Sequence, residues 1–519
     1  MIDLSSISIS ARFGTTLFTN ILRAGLSFLS ALIIARGLGP ADFGNMSFLL
    51  GTFVAIHSFI DMGSSSAFYT FISQRRRSKH FLRIYFCWVG MQLLAELLLV
   101  GLLVPNAVLQ KVWIGQDRAI LLLALVASFL MNNVWAVVSQ LGESIRRTQR
   151  VQLAWTLQAM THLMLTFILW RFGLLSVRTV FGITILQYVV LVLWLGRGFY
   201  VDHVADKDAK DAIDNISTVL KEFSEYCFPL LLSSAVGFLY MFGDRWMLQA
   251  FGGSIEQGYF SIAQQFTSIS LVATTSILQV FWKEIAEAQH TGDQEKAYAL
   301  YRCISRRLYF VAATVSCLLI PYSHDIALKL LGVAYEEAWP TLALLFLFPI
   351  HQSLGQIGGT FFCATGRTRP FAVLSAGIMM VSLPVTYLMV ADPKQLVPGL
   401  GLGSVGLAIK FVVIQVVSVN LQAVLIARLN GWKWDWSYQA IGPSFLILLG
   451  MSARWITDET LSFIGLGSHL LSSLLVASAI YVLGICMILY FMPWLIDLTR
   501  DEISGIRIPF KLKSAVVGL

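Results

Sequence analysis

Six charged side chains stand inside stretches that are otherwise as apolar as lipid: Arg23, Asp61, Glu96, Asp244, Arg245 and Lys410. On insertion scales a charge at the middle of a bilayer costs roughly 2.5–3.5 kcal/mol, so each of them needs a partner, water or a task. The cations occur in both halves of the chain, Arg23 in the first and Arg245 and Lys410 in the second. Lining one water-filled cleft, they would make an anion site, because guanidinium and ammonium groups are the natural partners of phosphate oxygens. Asp61, Glu96 and Asp244 admit two readings: they couple movement to an ion, or they neutralise cations between helices, as an Arg23–Asp61 pair would. Asp244 and Arg245 are adjacent and therefore point about 100° apart on a helix. Arg36 sits beside a tight turn and would mark the outer mouth of the cleft, although a helix-end arginine that snorkels to the interface explains it equally well.

The remaining reactive side chains carry no second chemistry. His57, His162 and His351 fall in apolar stretches, where a lone histidine more often bridges two helices than relays a proton. The six cysteines, Cys87, Cys227, Cys303, Cys317, Cys363 and Cys486, are scattered without a C-x-x-C pair and suggest neither a disulfide frame nor a zinc site. No Walker loop, metal-ligand cluster or nucleophile elbow occurs, and Gly401-x-Gly403 follows no strand. The expectation is a transport or binding site without metal or cofactor, driven by a membrane potential or an ion gradient.

Membrane-spanning helices must position these charges. Of the 519 residues 57% are hydrophobic and 13% charged, with a mean hydropathy of +0.73; a soluble globular chain carries about 25% charged residues. A helix needs ~20 apolar residues to cross ~30 Å of hydrocarbon, and windows of that kind predict about fourteen spans, the first over 14–38 and the last over 470–492. The class is all-α and polytopic. The start, MIDLSSISISARFG, has no basic leader and no small-residue cleavage site ahead of its apolar run, so the first helix reads as an uncleaved signal anchor.

The first two spans flank GLGPADFG (Gly37–Gly44), and the second half repeats the device. Residues 253–258, GSIEQG, share the Gly-x-x-acid-x-Gly spacing of residues 39–44, GPADFG, and a serine follows each last glycine by three, Ser47 and Ser261. The shift, from 39 to 253, is 214 residues. Six crossings separate the copies, an even number, so two six-helix lobes face the same way about an axis along the membrane normal. That is the parallel-repeat plan, in which the substrate site lies between the halves. The predicted division is an N-terminal lobe over 1–220 (spans 1–6), a C-terminal lobe over 221–433 (spans 7–12), and two extra spans with a tail over 434–519. Residues 198–222 read as the inter-lobe linker. Residues 283–307, broken at Thr291–Gly292–Asp293, read as an amphipathic helix lying at the inner surface.

The formal net charge of +8 would by itself admit a nucleic-acid partner. Its distribution argues otherwise. The N-terminus and every second link together carry 26 lysines and arginines, against 8 on the opposite side and 3 within spans. The bias follows the positive-inside rule. Both termini are expected in the cytoplasm, and the charge is a topological signature.

The hairpin and its copy also resemble a known family. A first span ending ARGLGPADFG (residues 35–44), followed by DMG at 61–63, is similar to the polysaccharide-flippase branch of the MOP exporter superfamily, the Wzx-type flippases of lipid-linked O-antigen and capsule units. The second half agrees, with FSEYCFPL (223–230), GDRWML (243–248) and EQGYFSIA (256–263). The likeness covers about residues 12–310; beyond that it rests on span count and hydropathy. It implies a V-shaped pair of six-helix lobes around an alternating-access cavity. Cations there would hold the diphosphate and anionic sugars of an undecaprenyl-diphosphate-linked oligosaccharide. Arg23 matches that role by position, whereas Arg245 and Lys410 join it through charge alone. The resemblance further implies the bacterial cytoplasmic membrane as location, membrane lipids and the lipid-linked oligosaccharide as partners, and a polysaccharide polymerase and chain-length regulator in the same pathway. The last two spans look like the extra pair that, in lipid II flippase relatives, borders a groove for the lipid tail.

Three functions compete. A cation-coupled multidrug exporter of the MATE branch needs a cavity dominated by carboxylates, whereas Asp61, Glu96 and Asp244 are matched by three cations. A membrane polymerase or glycosyltransferase would expose catalytic acids or arginines in a sizeable outer loop; the outer links are short, and the first carries one carboxylate, Asp42. The leading expectation is a flippase, not an enzyme, carrying lipid-linked units from the inner to the outer leaflet for O-antigen, capsule or exopolysaccharide synthesis. Each charge moved across 100 mV is worth roughly 2.3 kcal/mol, so an inside-negative potential drives either the anionic cargo outward or the emptied cationic carrier back.

Overall fold

The computed structural model describes residues 9–75, 77–205, 215–463 and 469–498; the middle of the expected inter-lobe linker and the tail beyond 498 lie outside these. Every regular element among the described residues is a helix. Twelve stretches are long and apolar enough to cross a membrane, and two are double length, Phe18–Asp61 with 44 residues and Ile216–Ser268 with 53. At 1.5 Å per residue the shorter of these extends about 66 Å, twice the ~30 Å hydrocarbon core. Each therefore holds two crossings, and the total is about fourteen.

Helix α1 (Ile9–Asp61) breaks at Gly39, whose φ of 76° and ψ of 170° are far from helical. The cause is local. Pro40 has no amide hydrogen and disfavours helical backbone at the residue before it, and glycine takes positive φ freely. The second crossing passes Met62 and Gly63, both at positive φ (49° and 83°), into α2 (Ser64–Gln74). The first lobe continues with α3 (Lys79–Leu98), α4 (Arg118–Phe129, prolonged by Trp135–Ser144), α5 (Thr148–Arg171) and α6 (Val177–Ala205).

The second lobe repeats the plan. Ile216–Cys227 leads into α7 (Leu231–Met247), and Gly253, with φ 82° and ψ −179°, makes the matching turn. Then come α8 (Gly253–Thr291), α9 (Gln294–Leu319), α10 (Phe348–Ala364), α11 (Thr368–Val390) and α12 (Gly403–Asn430). The extra pair is α13 (Ser437–Phe463) and α14 (Leu470–Phe491).

Residues 283–307 do not form a separate surface helix. Helix α8 runs on to Thr291, the chain reverses at Gly292 (φ 73°), and α9 starts at Gln294 with the Asp293 carboxylate accepting the Lys296 amide. Lys296 Nζ also reaches Glu284 at 3.3 Å. Helices α8 and α9 thus run on through this segment and join in a hairpin, because lengthening an existing helix avoids the cost of nucleating a new one.

The lobes meet along α1 and α8. A Cβ on Gly44 would overlap the carbonyl oxygen of Ser254, and a Cβ on Gly258 would overlap that of Pro40. A shift of 214 residues turns 40 and 44 into 254 and 258, so the contact maps onto itself, as an axis between two like-oriented lobes requires. The surrounding apolar core draws on both lobes, with Phe43, Phe48 and Phe53 from one and Tyr259, Ile262 and Tyr335 from the other. The extra pair packs on α9 where Gly450 seats on the Cys317 carbonyl, and closes on itself where Gly484 meets Leu449.

Candidate functional site

Two of the six intramembrane charges neutralise each other. Lys410 of α12 places Nζ 2.5 Å from Asp244 Oδ2 of α7, and both residues are buried. Thr386 of α11 donates to the other carboxylate oxygen at 2.7 Å. The ammonium lies 4.6 Å from the Tyr240 ring centre and 4.7 Å from that of Phe411. One charge pair therefore ties three spans together. Dehydrating both ions offsets most of their attraction, but losing one partner strands the other and costs about 3–5 kcal/mol.

The other two carboxylates are engaged as well. In the first lobe His57 Nδ1 lies 3.0 Å from Glu96, both buried, with Phe53 stacked on the imidazole and Phe129 edge-on to it. Asp61 accepts the Ser64 hydroxyl at 2.7 Å, the Ser65 amide at 3.0 Å and the Ser65 hydroxyl at 2.9 Å. It caps α2 after the break at Gly63, where the first amides have no helical partner. The Arg23–Asp61 pair that the sequence allowed is not made: Asp61 turns to the α2 cap and Arg23 to α5. His162 and His351 bridge helices, to Gln187 at 2.8 Å and Tyr309 at 3.3 Å.

Arg23 is different. Its guanidinium lies 3.6 Å from the ring centre of Trp155 on α5. It donates to Asn20 Oδ1 at 3.0 Å and to Gln152 Oε1 at 3.4 Å. None of these described partners is a carboxylate. An indole face and two neutral amide oxygens fix the group in place without cancelling its charge, which leaves it able to receive an oxyanion.

Arg245 points from the second lobe into the first. Its Nη1 donates to the Ser47 carbonyl at 3.4 Å, and the guanidinium covers Gly51, where a Cβ would overlap it. Close by, Gln249 donates to Asn45 Oδ1 at 3.0 Å and the Tyr335 hydroxyl to the Ala35 carbonyl at 3.1 Å. Arg36 is exposed and donates to the Leu330 carbonyl at 3.3 Å. Arg245 and Arg36 thus both bridge the lobes at the end that carries the Gly39 and Gly253 turns. The structure brings Asp244 and Lys410 together, sets Arg245 at the lobe interface beside them in sequence, and keeps Arg23 apart on the α1–α5 seam. Trp155, Gln152 and Thr386 escaped sequence reasoning, each being remote in sequence from the charge it serves.

Solved transporters of the MOP superfamily share this fold. Lipid II flippase MurJ in an inward closed conformation matches with a TM-score of 0.65 over 93% of this chain and 99% of its own, at 13% identity. A multidrug resistance MATE family transporter of the MOP superfamily, in an inward-facing conformation, gives 0.53 over 83% and 97% at 18% identity. A MOP superfamily transporter from Pyrococcus furiosus, described by the reverse polarity of its binding pocket, gives 0.53 over 80% and 95% at 16% identity. At such identities the likeness concerns the fold. No curated protein is significantly similar in sequence. Residues 11–282, more than half of the chain, match the family of polysaccharide biosynthesis proteins, and the chain belongs to that family, in agreement with its hairpin motifs. Family, fold and the twelve long apolar stretches are those of a multi-pass membrane protein.

Proposed function

We propose that this protein is a flippase that moves undecaprenyl-diphosphate-linked oligosaccharide units from the inner to the outer leaflet of the bacterial cytoplasmic membrane. It works by alternating access, without covalent chemistry, and supplies O-antigen, capsule or exopolysaccharide assembly, where a polymerase and a chain-length regulator act on its product. The observation that carries this reading is Arg23, a fixed guanidinium whose described partners are all neutral. A diphosphate, with about two negative charges, suits it. The cationic-drug reading is disfavoured for the converse reason. Asp244 is held by Lys410, Glu96 by His57 and Asp61 by Ser64 and Ser65, so these carboxylates are already taken.

The charge bias assigns the Gly39 and Gly253 turns to the outside. With that orientation, the α1–α8 contact and the Arg245–Ser47 and Arg36–Leu330 bonds seal the outer end, and Arg23 receives the diphosphate from within. Opening outward parts these bonds, and Arg245 and Arg36 then present cations to the outer half of the path. Lys410 stays paired with Asp244 and keeps α7, α11 and α12 moving as one unit.

Arg23→Ala should abolish surface polysaccharide while the protein stays inserted, and Arg23→Lys should keep part of the activity, since the charge survives but the planar fork does not. Normal export by Arg23→Ala overturns the assignment.

A further inference from the structure

A groove of about 580 Å³ runs along the seam between α1 and α5, within the ~300–1,000 Å³ typical of small-ligand sites. Leu29 and Ile33 of α1 and Met164 and Phe167 of α5 are among its walls. Its lining is apolar apart from Arg36 at one end, where Leu330 of the second lobe closes it. The groove opens sideways: Leu29 is 48%, Met164 60% and Phe167 48% exposed. Arg23 stands three residues before Leu26, a groove residue, on the same helix, and its holders Gln152 and Trp155 stand on α5 just before Met160. The seam therefore carries a cation at each end, thirteen residues apart. On a helix that is about 20 Å, two-thirds of the ~30 Å hydrocarbon thickness.

We infer that the α1–α5 groove is the track for the hydrocarbon chain of a diphosphate-linked polyprenyl lipid, with Arg23 and Arg36 marking the inner and outer levels of its headgroup. The inference rests on the flippase reading and places the tail on a seam away from the last two spans, the pair that the resemblance in sequence offers for it. Lipid tails are as apolar as the groove, so no hydrophobic force draws the chain in. Close packing against the walls does, and unbranched methionines at 160 and 164 suit an irregular, sliding chain. Charge complementarity fixes the occupant: a plain hydrocarbon has no use for an arginine at either end, and a free sugar diphosphate has none for the apolar wall between them. Arg36 is held by the carbonyl of Leu330, a residue of the opposite lobe, so parting the lobes would free it as the headgroup arrives.

The test uses the full-length chain in lipid nanodiscs with two probes: geranylgeranyl diphosphate carrying a photoreactive group at the far end of its chain, and inorganic diphosphate. Adducts are expected on the α1 and α5 groove segments. Yield should fall about tenfold in Leu29→Trp and Met164→Trp, which fill an outward-facing wall, while both variants bind inorganic diphosphate as the unaltered protein does. Adducts elsewhere, or yields untouched by both substitutions, overturn the tail track while diphosphate binding upholds the headgroup reading. Failure to bind either probe overturns both.

Discussion

Gly258 rests on the backbone carbonyl of Pro40, and the 214-residue repeat converts that contact into its counterpart, Gly44 on Ser254. Each hairpin thus supplies both the carbonyl that protrudes and the glycine that accommodates it. A lobe interface built this way has no slack at the end that carries the Gly39 and Gly253 turns, because the atoms that meet are main chain. In the proposed transport cycle it would act as a latch that opens by separation rather than by side-chain rearrangement.

Gly258→Ala should therefore spread the lobes. The added methyl group meets backbone, which cannot rotate away, and overpacking of this kind costs about 1–3 kcal/mol. Gly44→Ala should do the same from the other side. In a cysteine-free background carrying Asn45→Cys, a membrane-impermeant thiol reagent added outside should label the alanine variants faster than the glycine parent. Equal labelling would show that the contact does not govern outward opening.

Much of this was legible in the sequence because the solvent dictates it. Hydrocarbon demands about twenty apolar residues per crossing, and a tight reversal between two crossings favours glycine, which takes positive φ freely, so Gly39 and Gly253 advertised the hairpins and their repeat. Partners were not legible. Arg23 and Trp155 meet through the packing of α1 on α5, which leaves no trace in spacing, and Asp61 reads as a candidate for pairing with Arg23 until the Gly63 break exposes the amides it caps. Residues 283–307 misled because the same polar–apolar periodicity describes a helix lying on a membrane and the joined ends of two longer helices.

The Lys410–Asp244 pair makes a thermodynamic prediction that separates structure from transport. Lys410→Met leaves a buried carboxylate without its counter-ion and should cost about 3–5 kcal/mol, whereas Lys410→Met with Asp244→Leu removes both charges and should return to near parental stability. Thermal unfolding in detergent reads the difference. If the double variant is stable yet silent in export, the pair serves the cycle; if it also exports, the pair serves only to tie α7, α11 and α12.

Energy coupling follows from the charge on cargo and carrier. If Arg23 neutralises one charge of the diphosphate, the potential acts on that cation of the emptied carrier as it resets, and one charge across 100 mV amounts to roughly 2.3 kcal/mol. In vesicles, collapsing the potential while a pH gradient persists should slow flipping severely. Unchanged rates would transfer the role to proton coupling and to His57–Glu96, the buried titratable pair of the first lobe.

At the end of the molecule opposite the hairpin turns, three arginines of α9 clamp the last described turn. Arg306 bonds Asp435 at 2.5 Å and the Trp494 carbonyl at 2.6 Å, Arg302 bonds Asp497 at 2.9 Å, and Arg307 bonds the Ile496 carbonyl at 3.2 Å. Burial raises the Asp435 carboxyl, but hydrogen bonds from the Ser437 hydroxyl and amide, with the Arg306 guanidinium, outweigh it and hold the group below its usual range. A carboxylate depressed on folding stabilises the folded form above its unfolded value, about 3.9, and that contribution is lost as pH falls through the lower folded value. A spin label at Leu498→Cys should accordingly stay immobile from pH 8 to about pH 5 and loosen only below about pH 4. With Asp435→Asn it should be more mobile at every pH, because the Arg306 fork then keeps only its longer, 3.9 Å contact to Asp497 as an anionic partner. Loosening of the unaltered clamp between pH 5 and 8 would assign control of this turn to a group other than Asp435.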